Sequence, residues 1–124
     1  MEKPQLLICD DEYVVRDAIR LILNEDYQIT FVHNGQEALD AIKKKEPDLL
    51  IMDIKMPKVN GLEALRKIRR AKRRLKVLIM TGYESSDVAV EAVNAGADDY
   101  LTKPFKRADF RGKIEKLLAE RKMC

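Results

Sequence analysis

Five side chains in this sequence could do chemistry together: Asp10, Asp11, Asp53, Thr81 and Lys103. Each stands at the end of a short apolar run. Leu6-Leu7-Ile8-Cys9 leads to Asp10 and Asp11, Leu49-Leu50-Ile51-Met52 to Asp53, Val77-Leu78-Ile79-Met80 to Thr81, and Tyr100-Leu101-Thr102 to Lys103. Runs of this length bounded by turn residues read as buried strands. In open α/β sheets, ligands sit outside the carboxyl ends of the strands, where all five groups would emerge. Three carboxylates held close repel one another, and a divalent cation relieves that repulsion. An all-oxygen set without a Cys/His cluster favours Mg2+ over zinc. A lysine and a hydroxyl beside a carboxylate would cradle a phosphoryl group carried on that carboxylate. Any one of these residues alone is more readily a strand-ending turn residue; five of them on four strand ends point to one site.

The elements that must position these groups alternate along the chain. Val14, Val15, Ala18, Ile19, Leu21, Ile22 and Leu23 recur at helical spacing and predict a first helix to about Glu25. Tyr27 to Val32 alternates and is β-rich, and its Gln28 and Thr30 suit an edge strand. Asn34-Gly35 breaks the chain, and Ala38, Leu39, Ala41 and Ile42 predict a second helix that stops before Pro47. After the Asp53 strand and a loop from Ile54 to Gly61, Leu62, Leu65 and Ile68 mark a third helix, followed by a strand from Leu75 to Met80. A fourth helix runs from about Ser85, as N-cap, to Gly96 as its stop. Asp98 to Thr102 is a fifth strand, and Phe110, Ile114, Leu117 and Leu118 mark a closing helix. Five β-α units imply an α/β fold: a single doubly wound (βα)5 domain, its five-stranded parallel sheet covered by helices on both faces.

Composition narrows the function classes. At 124 residues the chain is one domain, and 46% hydrophobic with 36% charged residues describes a globular, soluble protein. A net charge of +3 is too mild to imply nucleic acid. Eight of the eleven residues from Arg66 to Lys76 are basic, read as a solvated surface that complements a helix dipole. Without interleaved aromatics or a helix-turn-helix, direct nucleic-acid binding is not expected. Cys9 and Cys124 form no disulfide framework, no apolar run approaches membrane-spanning length, and the N-terminus reads as no signal peptide, so a cytoplasmic protein is expected. His33, the single histidine, has no second histidine with which to share a metal and is read as a surface residue.

Asp10-Asp11, Asp53 with Met56-Pro57 and Gly61, Thr81-Gly82, and Lys103-Pro104-Phe105 together resemble the receiver domain of response regulators in two-component signalling, CheY-like, from about Gln5 to Leu118. The resemblance implies the strand order 2-1-3-4-5. It also implies a switch in which Asp53 accepts a phosphoryl group from a histidine kinase phosphohistidine, not an enzyme beyond its own phosphorylation and dephosphorylation. Mg2+ would be held by Asp10, Asp11, Asp53 and the main-chain carbonyl of Lys55. Thr81 and Lys103 would bind phosphoryl oxygens, with Lys103-Pro104 a cis peptide, and Tyr100 would be the aromatic switch partner of Thr81. The expected partners are a histidine kinase or phosphotransfer protein and, through the fourth helix, fifth strand and fifth helix, an effector domain, a target protein or a second copy. No membrane contact is implied. Lys55 and Tyr83 flank the route of the hydrolytic water and would set phosphoryl lifetime. Lys106 stands where an N-cap Asp often follows the motif, and Gly112 weakens the last helix. The receiver would span residues 1–124, with a linker possible from 119–124. The rival reading, an aspartate-nucleophile phosphatase, typically needs a second acid two residues after its nucleophile on the first strand. Lys55 stands at that spacing, and the third strand carries Asp53.

Overall fold

Strands apolar on both faces need cover on both, and the chain supplies it by alternating β and α throughout. The computed structural model describes residues 3–10, 12–23, 25–54, 59–82 and 86–122. Its elements are β1 (Gln5–Cys9), α1 (Tyr13–Leu23), β2 (Gln28–Val32), α2 (Gly35–Lys44), β3 (Leu49–Ile54), α3 (Val59–Ala71), β4 (Val77–Thr81), α4 (Ser86–Ala95), β5 (Asp99–Thr102) and α5 (Arg107–Lys122). The five strands are parallel in the order β2-β1-β3-β4-β5. The polar-spaced β2 lies at one edge, as its composition predicts.

Successive residues of a strand point to opposite faces, so each central strand feeds two cores. Leu7, Cys9, Leu50, Met52, Ile54, Val77 and Ile79 pack under α2, α3 and α4. Leu6, Ile8, Leu49, Ile51, Leu78 and Met80 pack under α1 and α5, where Phe110 is fully buried and stacks on Phe105 at 4.7 Å. Truncating Phe110 to alanine would cost about 3–5 kcal/mol.

The helix ends follow local chemistry. Asn34 caps α2 by accepting from the Glu37 backbone N–H, and Glu37 reaches back to accept from the His33 N–H at 2.7 Å. His33 is thus an exposed cap residue whose ring also meets Glu37. At the end of α4, Gly96 takes φ +119°, and the Ala97 N–H donates to Ala92 O while the Gly96 N–H donates to Val93 O. That is the left-handed stop expected of a glycine there. Lys106 does occupy the position before α5, and a Cβ at Gly112 would meet nothing within 4 Å.

Several expectations shift. The first helix ends at Leu23 rather than Glu25, and its rotation differs from a simple apolar stripe. Its buried residues are Arg16, Ile19 and Leu23, while Val14 and Leu21 are 81% and 78% exposed. β3 continues to Ile54, so Asp53 is its penultimate residue rather than the one just past it. The basic stretch is only partly a solvated surface. Arg69 donates to the carbonyls of Gly96, Lys72, Arg73 and Leu75 and to Asp98, tying α3 to the starts of β4 and β5. Lys76 pairs with Asp98 and Glu120. The Ser85 N-cap lies outside the described residues.

Candidate acidic site at the carboxyl edge of the sheet

Register brings the site together. Cys9 pairs with Met52, Ile54 with Thr81, and Thr81 with Thr102, so the residues around these pairs share one edge. Asp10, Asp53, Thr81 and Lys103 all sit there. Past β5 the Lys103 N–H donates to Thr81 O at 2.8 Å, which holds the chain against β4 as the side chain turns into the site. The Lys103–Pro104 peptide is cis.

Lys103 is the hub. Its Nζ donates to Asp53 Oδ2 at 2.8 Å and stands 3.7 Å from Asp10 Oδ2 and 3.8 Å from Glu12 Oε1. Among the described residues, three carboxylates thus surround this one ammonium. One oxygen from each of Asp10, Glu12 and Asp53 lies within 4.8 Å of the others, a spacing that one metal ion can bridge. Asp10 Oδ1 accepts from the Glu12 N–H at 2.8 Å, whereas its buried Oδ2 accepts no hydrogen bond among the described residues. A buried carboxylate oxygen without a donor is a poor arrangement in apoprotein and a good one for a cation. This donor set therefore fits a hard divalent ion.

Burial pushes the Asp53 carboxyl up to about 6, with the Asp10 carboxylate adding to the rise and the Lys103 hydrogen bond opposing it. A raised value in a site with a specific charge partner is a functional signature. Thr81 is fully buried, and its Oγ1 has no hydrogen-bond partner among the described residues. Tyr100 is 41% exposed on β5, with Lys113 Nζ 5.6 Å from its ring centre. Asp11, Lys55 and Tyr83 lie outside the described residues.

Two residues escape the sequence reading. Glu12 joins the cluster, and the only local signal for it is a third acid directly after Asp10-Asp11. Arg16 is a charged residue on the buried face of α1, where its Nε donates to the Asp10 carbonyl at 2.8 Å. Among the described residues, no helix is long and apolar enough to cross a membrane.

Residues 6–115 match the family model described as the response regulator receiver domain. The chain is 37% identical over 119 residues to response regulator MprA of Mycobacterium avium (strain 104), covering 95% of this chain and 52% of that protein. The chain thus spans about half the length of the curated relatives it matches. Among solved structures, a CheY-like receiver domain protein from Methanospirillum hungatei JF-1 superposes with a TM-score of 0.88 at 32% identity, covering 98% of both chains. The receiver domain of NtrX from Brucella abortus gives 0.85 at 31% identity, covering 92% of this chain and 98% of that one.

Proposed function

Because the chain belongs to the response regulator receiver domain family, we propose that it is a phosphorylation-activated signalling switch with Asp53 as its phosphoacceptor. The observation that carries this reading is the buried Asp53 carboxylate held by Lys103 at 2.8 Å within a cluster that can bind a metal. An ionised Asp53 oxygen attacks the phosphorus of a kinase phosphohistidine. A P–O bond forms, the P–N bond breaks, and the imidazole nitrogen leaves with a proton from solvent. Mg2+ held by Asp10, Glu12 and Asp53, with Asp11 and the Lys55 carbonyl completing the set, would neutralise charge on the phosphoryl oxygens. Lys103 moves its ammonium from the carboxylate to a phosphoryl oxygen. The Thr81 hydroxyl, which donates to nothing else described, becomes a second donor.

The new group carries about −2 charge. Drawing Thr81 toward it opens space that Tyr100 can fill, and the surface of α4, β5 and α5 changes with it. Val90, Val93 and Tyr100 already expose apolar surface on α4 and β5, which supports this face as the contact for an effector domain, a target or a second copy. The mechanism is a shift between two pre-existing packings. A histidine kinase or phosphotransfer protein is the donor we infer, acting on this chain in the cytoplasm, and residues 1–124 are read as the receiver with room for a linker from 119–124.

The test is direct. Acetyl phosphate with Mg2+ should add one phosphoryl mass, and Asp53→Asn should abolish the addition. An Asn variant that labels as well as the parent refutes the assignment. Beryllofluoride should move amide resonances at Thr81 and Tyr100 and then along α4.

A further inference from the structure

Arg16 is a charged side chain where the helix pattern calls for an apolar one. It shares the buried stripe of α1 with Ile19 and Leu23 and is only 8% exposed. A buried guanidinium is costly unless its donors are used. Nε donates to the Asp10 carbonyl at 2.8 Å, and Nη2 donates to the Val32 carbonyl at 3.2 Å. Val32 O also accepts from the Asp10 N–H at 3.0 Å, so Asp10 is held through both its amide and its carbonyl just past the ends of β1 and β2. The Arg16 guanidinium lies 5.3 Å from the Phe31 ring centre, with Arg20 4.7 Å from the same ring.

Both hydrogen bonds of this side chain go to backbone carbonyls, one of them that of Asp10 and the other the Val32 carbonyl that also holds the Asp10 N–H. We propose that Arg16 is a positioning residue: it locks the Asp10 main chain so that the buried, donor-free Oδ2 faces the cluster where a divalent cation binds. The proposal rests on reading Asp10 as a metal ligand. Outer partners that orient a ligand are typically worth ~10–100-fold in metal affinity. A planar guanidinium can hold two carbonyls at once, whereas a lysine ammonium is a flexible point charge.

Charge alone predicts the opposite outcome, which makes the proposal testable. Removing a cation from behind an acidic site should tighten binding of a divalent ion, while removing a positioning fork should weaken it. Mg2+ is titrated into the parent, Arg16→Met, Arg16→Lys and Asp53→Asn, with amide chemical shifts as the readout and circular dichroism to confirm folding. The expected result is binding weakened by ~10-fold or more in Arg16→Met and by at least ~3-fold in Arg16→Lys. Parent-like or tighter binding in Arg16→Met overturns the proposal, as does parent-like binding in Arg16→Lys whatever the Met variant does. If Arg16→Met fails to fold, the Lys variant decides alone. A parent with no saturable Mg2+ response refutes the reading of the metal site itself, and loss in Asp53→Asn together with an unaffected Arg16 pair refutes only the role of Arg16.

Discussion

Replacing Asp53 with asparagine should stabilise the metal-free protein while destroying its chemistry. Burial and the Asp10 carboxylate lift the Asp53 carboxyl from an ordinary 3.8 to about 6 against the pull of Lys103. At about 1.4 kcal/mol per pH unit, ionising it in the fold costs roughly 3 kcal/mol. Water in the cleft screens part of this, so about 1–2 kcal/mol is expected. The sign follows from the raised value: the stability is fully present below the unfolded pKa near 4 and is lost as pH rises through the folded one near 6. Asn mimics the neutral acid at every pH. Thermal melts in EDTA should therefore place Asp53→Asn roughly 4–8 °C above the parent at pH 8. The gap should shrink toward zero at pH 4. Saturating Mg2+ should narrow it at pH 8 by stabilising the parent. An Asn variant that melts at or below the parent at pH 8, or a gain independent of pH, would refute the crowded acidic site.

Other residues make sharp predictions of their own. Thr81→Val keeps the shape but removes a buried, unpartnered hydroxyl; it should gain roughly 1 kcal/mol in urea unfolding, yet transmit less of the beryllofluoride-induced change to α4. Arg69→Ala strands the carbonyls of Gly96, Lys72, Arg73 and Leu75 and should cost roughly 3 kcal/mol; a loss below about 1 kcal/mol would mean that water replaces the clamp. Burial alone would raise the Asp99 carboxyl, but hydrogen bonds from Lys113, the Tyr100 N–H and Lys116 hold it below its ordinary value. Its contribution is present at neutral pH and lost as pH falls through its lowered value, so Asp99→Asn should cost roughly 0.5–1 kcal/mol at pH 7 and progressively less on acidification by urea titration.

The apolar runs that end at Asp10, Asp53, Thr81 and Lys103 are enough to specify four of the five parallel strands and the edge at which their polar ends gather. Burying four or five consecutive apolar residues on both faces has few solutions, and each strand's last polar residue must then leave the core at the same end. Residue type also carries its own chemistry, so carboxylates, a hydroxyl and an ammonium at one edge suit a phosphoryl group and a hard cation whatever the distances between them. Local patterns could not say which atoms would meet. Lys103 finds Asp53 across fifty positions of sequence, and only the register of β3, β4 and β5 sets that 2.8 Å contact. The rotation of α1 was equally hidden. Val14 and Leu21 share its apolar period, but the helix turns Arg16 inward because the carbonyls of Asp10 and Val32 lie beneath it. In sequence Arg69 is one charge in a basic run; the α4–β5 turn places the Gly96 carbonyl and Asp98 against it. Periodicity measures how apolar a helix face is. What a charged side chain does on that face depends on which unsatisfied backbone groups the rest of the chain brings within reach.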